Sequence, residues 1–184
     1  MGSTQYYVAQ SLDGFIADSE GGVDWLTGYR GQEADVSEVP EGGYDSFFAQ
    51  VGALAMGSAT YEFILGEGSG RWPSADVPTW VFTSRELPAH EDADLRFVKG
   101  PVRRPHEEMR AAAGERNVWI VGGGDLALQF ASADLLDEII LTVVPVVLGA
   151  GIPALPSPLP GDLRLTGTEP RGNGMVELRY SVVR

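Results

Sequence analysis

The chain has 184 residues, 43% of them hydrophobic, and contains no cysteine. A single domain of this length buries roughly 70% of its unfolded surface, so its core needs no disulfide or thiolate-bound metal, and the composition fits a reducing cytoplasm. A net charge of −13 argues against nucleic acid or an anionic membrane as a partner.

No stretch reaches the ~18 apolar residues of a membrane span, and Met1–Gln5 does not read as a signal peptide. The histidines, His90 and His106, stand in polar, charged surroundings, so no His-based metal site or triad is expected. Tyr6–Gln10 reads as a first strand, turned by Ser11–Gly14 and followed by a short extended piece, Phe15–Ala17. Val23–Leu26 is an apolar anchor with one carboxylate. Thr27–Gly43 is acidic, glycine-rich and long enough to be a functional loop. Tyr44, Phe47, Phe48 and Val51 recur at helical spacing and predict an amphipathic helix. Ala53–Met56 is a strand, and Gly57-Ser58 opens a second helix, Ala59–Leu65, with Ser58 as N-cap.

A Gly/Pro-rich loop, Gly66–Pro78, leads to a strand at Thr79–Ser84 and another at Leu95–Val98. Arg103–Ala113 is helical, with Pro105 in its first turn. Glu138–Leu148 is a long strand, Gly149–Gly161 an apolar loop, and Leu163–Glu169 with Met175–Val183 a hairpin. Strands alternate with helices up to residue 148 and only hairpin strands follow. That order predicts one α/β domain over residues 1–184: a mainly parallel central sheet, covered on both faces, with an antiparallel C-terminal hairpin.

The stretch Asn117–Phe130 concentrates the chemistry. Val118–Val121 is a buried strand, Gly122, Gly123 and Gly124 turn it, and a helix follows from Asp125 with Leu126 and Phe130 on its inner face. A helix start offers unpaired N–H groups and a positive dipole end, worth about 0.3–1 kcal/mol to an anion. Glycines let a phosphate approach the backbone. Gly122-x-Gly124-x-x-Ala127 also fits a Rossmann fingerprint, but the next strand ends in Leu-Gly where that fold wants an acid. A bare connection without a ligand is the remaining reading, against which stands the entropic cost of three consecutive glycines.

Four blocks carry a resemblance: Val8–Ala17, Ala55–Glu62, Trp80–Arg85 and Val121–Phe130, the last followed by Asp137–Gly149. In order and spacing they resemble the dihydrofolate reductase-like superfamily, more closely its riboflavin-biosynthesis reductase branch, the C-terminal domain of the bifunctional deaminase-reductase. The resemblance implies a dihydrofolate reductase-like three-layer sandwich with NADPH across the carboxyl ends of the strands. Carried over, Gly57, Ser58 and Thr60 would meet the phosphates. Gly122, Gly123, Gly124, Asp125 and Leu126 would meet the pyrophosphate and nicotinamide end, and the Gly122–Gly123 bond matches a cis peptide of the family. Ala9 and Ile16 match positions flanking the nicotinamide amide. Ser84 and Arg85 would sit at the adenosine 2′-phosphate, where the Arg fork suits a phosphate.

On the substrate side, Asp24-Trp25-Leu26 resembles the loop that closes over the nicotinamide, with Trp25 the candidate residue. Thr142 matches a strand threonine that binds the substrate ring in folate enzymes. Asp45 is the only acid inside the Tyr44–Val51 helix, where those enzymes carry a catalytic carboxylate. It aligns only with a gap, and counting back from Gly57 lands near Glu41 instead. An Asp45 enclosed by Tyr44 and Phe47 would have a raised pKa and act as an acid; one on the polar face of the helix would simply point to water.

These readings imply a cytoplasmic NADPH-dependent reductase acting on a small heterocyclic or ribosylamino-pyrimidine acceptor, and the branch suggests a homodimer. Dihydrofolate reduction and a non-catalytic nucleotide-binding protein are the alternatives. The acidic Gly31–Gly43 stretch and the loop around Trp72 are the expected places for a change of substrate.

Overall fold

Alternation along the central strands sends two different sets of apolar side chains to the two faces of one sheet, and the fold follows from covering both. The computed structural model describes residues 2–29, 43–66, 72, 75–171 and 173–184. In chain order the elements are β1 (Thr4–Ser11), β2 (Phe15–Ala17), α1 (Asp24–Thr27), α2 (Gly43–Ala49), β3 (Val51–Gly57), α3 (Ser58–Gly66), β4 (Thr79–Phe82) and β5 (Leu95–Val98). There follow α4 (Arg103–Ala113), β6 (Asn117–Gly122), α5 (Gly124–Ser132), β7 (Glu138–Val144), β8 (Ile152–Pro153), β9 (Asp162–Pro170) and β10 (Val176–Val183).

Eight strands form the main sheet in the order β5-β4-β3-β6-β1-β7-β10-β9. From β5 to β7 every neighbouring pair is parallel, while β10 runs antiparallel to both β7 and β9. The expected hairpin therefore closes one edge. β2 and β8 make a separate two-stranded ribbon.

Tyr6, Val118, Ile120 and Ile139 pack with Met109 of α4 and with Leu126 and Phe130 of α5 on one face. On the other face, Trp119, Leu54 and Ile140 pack under Phe47 of α2, with Tyr7 against them; Met56 and Val81 pack under Tyr61 of α3. Burying each such side chain contributes about 1.5–3 kcal/mol, so both helix layers are needed. The three-layer α/β expectation holds.

Several boundaries differ from the sequence reading. Val51 belongs to β3, not to the preceding helix: α2 stops at Ala49, and the strand starts two residues earlier than expected. Gly52 permits this, because a Cβ there would lie 2.7 Å from the Ala113 Cα of α4. Ser58 is the first residue of α3 rather than its cap. β7 ends at Val144, four residues short of Leu148, where Pro145 has no N–H for the ladder. Trp72, in the loop expected to carry a change of substrate, is 3% exposed and packs on Tyr61. Most of the acidic Gly31–Gly43 stretch, including Glu41, lies outside the described residues.

Candidate functional site

The two glycine junctions meet. β3 and β6 are neighbours, and Met56 is paired with Gly122 after a register shift beside Ala55. This sets Gly57, where β3 becomes α3, against the Gly122–Gly123 bond, which is cis. A Cβ built on Gly57 would lie 3.9 Å from the Gly122 carbonyl oxygen, and one on Gly123 would meet nothing within 4 Å. Among the described residues no side chain lies within 4 Å of either Cβ position. Gly122 itself has no spare room, since its Cβ would stand 2.9 Å from Thr60 Oγ1. Thr60 thus lies at the seam between the junctions, with Ser58 half-buried beside it.

The three glycines serve different purposes. A Cβ on Gly124 would come within 2.2 Å of the Ala154 carbonyl oxygen. That residue is glycine because α5 packs on the loop after β7. Leu126 is 4% exposed, and its side chain belongs to the core. Gly124 and Leu126 thus offer a ligand only backbone. Asp125 is exposed in the first turn of α5, a favourable place for an acid against the helix dipole. It lines a cavity of about 420 Å³ with Pro101, Arg103, Leu128 and Gln129. The sequence reading missed that cavity.

At the carboxyl end of β1, Ala9 is paired with Thr142 of β7, and Ile16 sits half-buried in the middle of β2. Asp13 braces the turn between β1 and β2. Its Oδ1 accepts from Ser11 Oγ at 2.7 Å and from the Leu148 N–H at 3.1 Å, and its Oδ2 from the Gly149 N–H at 2.7 Å. The Ser11 hydrogen bond, with those backbone donors, holds the Asp13 carboxyl below its ordinary range.

On the face covered by α2 the structure assembles a polar group that sequence reasoning did not find. Thr142 Oγ1 donates to the Tyr7 hydroxyl at 3.4 Å, and Thr142 is paired with Glu177 across β7 and β10. Glu177 is 1% exposed; its Oε1 lies 2.7 Å from both Arg171 Nη2 and Arg179 Nη2, and its Oε2 accepts from Arg171 Nε at 2.9 Å. Burial alone would push this carboxyl up, but the Arg171 hydrogen bond and the charges of Arg179 and Arg171 outweigh it and hold the carboxyl below its ordinary value. Burial pushes the Tyr7 phenol up; the Thr142 hydrogen bond opposes this and the Glu177 charge adds to it. Tyr7 therefore keeps its proton at neutral pH. The one signal in the sequence was an acid inside the apolar alternation of residues 176–183.

The other substrate-side candidates do not converge on this group. Asp45 is exposed in the first turn of α2, and Phe47 is the residue that turns to the sheet, 4.4 Å from Tyr7 ring to ring. The apolar enclosure expected around Asp45 is absent. Trp25 is half-buried in α1, and its buried Nε1 has no hydrogen-bond partner among the described residues, so one donor is left over.

At the end of β4, Ser84 and Arg85 are both exposed. Arg85 is engaged: its Nη1 donates to Glu62 Oε1 at 3.0 Å and its Nη2 to Glu62 Oε2 at 2.5 Å. No group of three or more potential ligands able to hold a metal ion occurs among the described residues. No described helix is long and apolar enough to cross a membrane.

A mixed sheet of this order, with two strand-to-helix glycine turns side by side at the carboxyl ends of β3 and β6, defines a dihydrofolate reductase-like protein. At the level of fold the likeness extends to dihydrofolate reductase from Enterococcus faecalis, solved with NADP(H) and RAB-propyl (TM-score 0.59, 18% identity, 100% of this chain and 98% of that one). The chain belongs to the RibD C-terminal domain family, whose profile matches residues 67–177. It is 35% identical to the uncharacterized protein YwjB of Bacillus subtilis over 96% of both chains. It is 26% identical to the riboflavin biosynthesis protein RibD of Corynebacterium ammoniagenes over 85% of this chain and 47% of that protein. The structure of a putative riboflavin biosynthesis protein from Shewanella sp. PV-4 is similar throughout (TM-score 0.79, 28% identity, 99% of each chain).

Proposed function

We propose that the chain is an NADPH-dependent reductase of the riboflavin-biosynthesis type, acting on a small heterocyclic or ribosylamino-pyrimidine acceptor. The observation that carries this reading is the seam itself: two open glycine turns, Gly57-Ser58 and Gly122-Gly123, side by side at the carboxyl ends of adjacent parallel strands. That is where open α/β sheets take dinucleotides. A diphosphate would fit there, against the backbone of two helix starts at which Gly57 and Gly123 carry no Cβ atom. These local donors act against a chain of net charge −13.

When bound, the nicotinamide supplies the hydride. Ser58, Thr60 and the backbone from Gly122 to Asp125 would hold the phosphates, and Ser84 and Arg85 would meet the adenosine 2′-position, while the Leu126 N–H is already given to the Gly123 carbonyl at 3.0 Å. Ala9 in β1 and Ile16 in β2 would flank the nicotinamide ring. Thr142 and Tyr7, hydroxyls on the α2 face already bonded to each other, would orient the acceptor, and Trp25 would offer from α1 an indole N–H that has no partner among the described residues. Water would supply the proton, since among the described acids on this side Glu177 is held ionised and Asp45 is exposed. Positioning accounts for most of what such a transfer requires.

The exposure of Asp45 disfavours dihydrofolate reduction. The second copy in the proposed homodimer would meet the β9 edge, where Leu163 and Leu165 are 42% and 53% exposed. Sedimentation would show a monomer if that part of the proposal is wrong.

The functional test is direct. NADPH and NADH are titrated against tryptophan fluorescence, and NADPH absorbance is then followed with the riboflavin precursor and with dihydrofolate. Saturable NADPH binding and turnover of the first acceptor are expected. Binding of neither nucleotide removes the reductase reading, and turnover of dihydrofolate alone replaces it with the folate one.

A further inference from the structure

Arg85 does not wait with an empty fork. Both oxygens of Glu62 engage its two terminal nitrogens, with side chains 54% and 44% exposed. Glu62 stands one helical turn beyond Ser58 on α3, so the helix that starts at the phosphate seam also carries an acid to the end of β4. A carboxylate gripped in this way presents two oxygens and a negative charge to the guanidinium, as a phosphate monoester does.

We propose that Glu62 is a positioning residue that occupies Arg85 in place of the ribose 2′-phosphate, and so lowers the preference of this chain for NADPH over NADH. The inference rests on the proposed placement of the adenosine 2′-position at Arg85. NADPH must displace the carboxylate and place its own charge beside it. NADH leaves the pair intact. The chain is thereby less selective than Arg85 alone would make it. Because both side chains are largely solvated, the pair is weak, and its removal changes selectivity by about two- to fivefold.

The test uses the full chain and binding alone. Wild type, Glu62→Gln, Glu62→Asp, Arg85→Ala and the Glu62→Gln/Arg85→Ala double variant are titrated calorimetrically with 2′,5′-ADP, 5′-AMP, NADPH and NADH. Glu62→Gln is expected to tighten NADPH and 2′,5′-ADP about two- to fivefold while leaving NADH and 5′-AMP unchanged. Glu62→Asp, which keeps the charge, is expected to stay close to the wild-type ratio. In the Arg85→Ala background, Glu62→Gln should lose most of its effect.

If every nucleotide binds but Glu62→Gln leaves the ratio where it was, the inference falls and the reductase reading stands. A weakened NADPH in Glu62→Gln overturns it too, since Glu62 would then brace Arg85 for the phosphate. If wild type binds no nucleotide, both readings fall together.

Discussion

Arg85–Glu62 and Arg171–Glu177–Arg179 use the same chemistry at opposite ends of the exposure scale. The first pair lies in solvent, with side chains 54% and 44% exposed. In the second, the Glu177 side chain is 1% exposed and those of Arg171 and Arg179 are 12% and 29%. A solvated pair contributes about 0–1 kcal/mol, because water competes for both charges. A buried one has little net worth against an apolar replacement, yet losing one partner strands the others at a cost of about 3–5 kcal/mol. The exposed pair can therefore trade partners with a ligand, whereas the buried group fixes where β7 and β10 lie beneath Thr142.

The largest test of this contrast is Glu177→Ala. It should lower unfolding free energy by up to about 3–5 kcal/mol in urea, since Arg179 loses its carboxylate and Arg171 keeps only the more exposed Glu169, 3.0 Å away. A loss below about 1 kcal/mol would mean that water reaches the group.

Arg85→Ala should do the reverse. Stability should change by no more than about 1 kcal/mol, while NADPH binding weakens roughly tenfold or more and NADH binding holds. Equal weakening of both nucleotides would remove Arg85 from the 2′-position.

Acid sharpens the same comparison. The Glu177 carboxyl is held below its ordinary value of 4.5. The unfolded chain therefore takes up its proton first. The stability it provides is complete above that pH and is lost as pH falls through the folded-state value. Melting temperature followed from neutral pH into acid should show this limb, and Glu177→Gln should flatten it.

His106 should have the smallest effect. Burial lowers its pKa from 6.5, with Arg110 and Arg103 adding to the shift and Asp137 and Glu107 opposing it, and its Nε2 lies 2.8 Å from Thr4 Oγ1. Its contribution is present above pH 6.5 and fades below, so His106→Gln should reduce the slope of melting temperature just under that pH.

Local pattern made much of this protein legible. Val118–Val121 followed by three glycines and an amphipathic run could fold locally only as strand, turn and helix, and it does. Pro105 marked the first turn of α4, and the alternation around Arg171–Gly174 marked the hairpin. The candidate site was legible where backbone makes it. Gly122 is glycine because a Cβ there would stand 2.9 Å from Thr60 Oγ1, while Gly57 and Gly123 leave their turns open, and glycine announces itself.

The site was not legible where side chains from distant parts of the chain must meet. Asp45 looked enclosed because Tyr44 and Phe47 flank it in sequence. On a helix those neighbours point elsewhere, and the acid faces water. Tyr7 and Thr142 meet across 135 residues of chain, which no local pattern records. Gly124 looked like part of a phosphate loop, but its lack of a Cβ serves the approach of Ala154.

By itself the sequence determined which segments are strands and helices, that two strands end in glycine, and that no cysteine chemistry operates, because each of these depends on residues close together in the chain. Only the tertiary structure decided that the two glycine turns share one seam, that Glu177 is buried between two arginines, and that Glu62 already fills the fork of Arg85. Those arrangements depend on which strands pair and in what register, and hydrogen bonding and packing set that across the whole sheet at once.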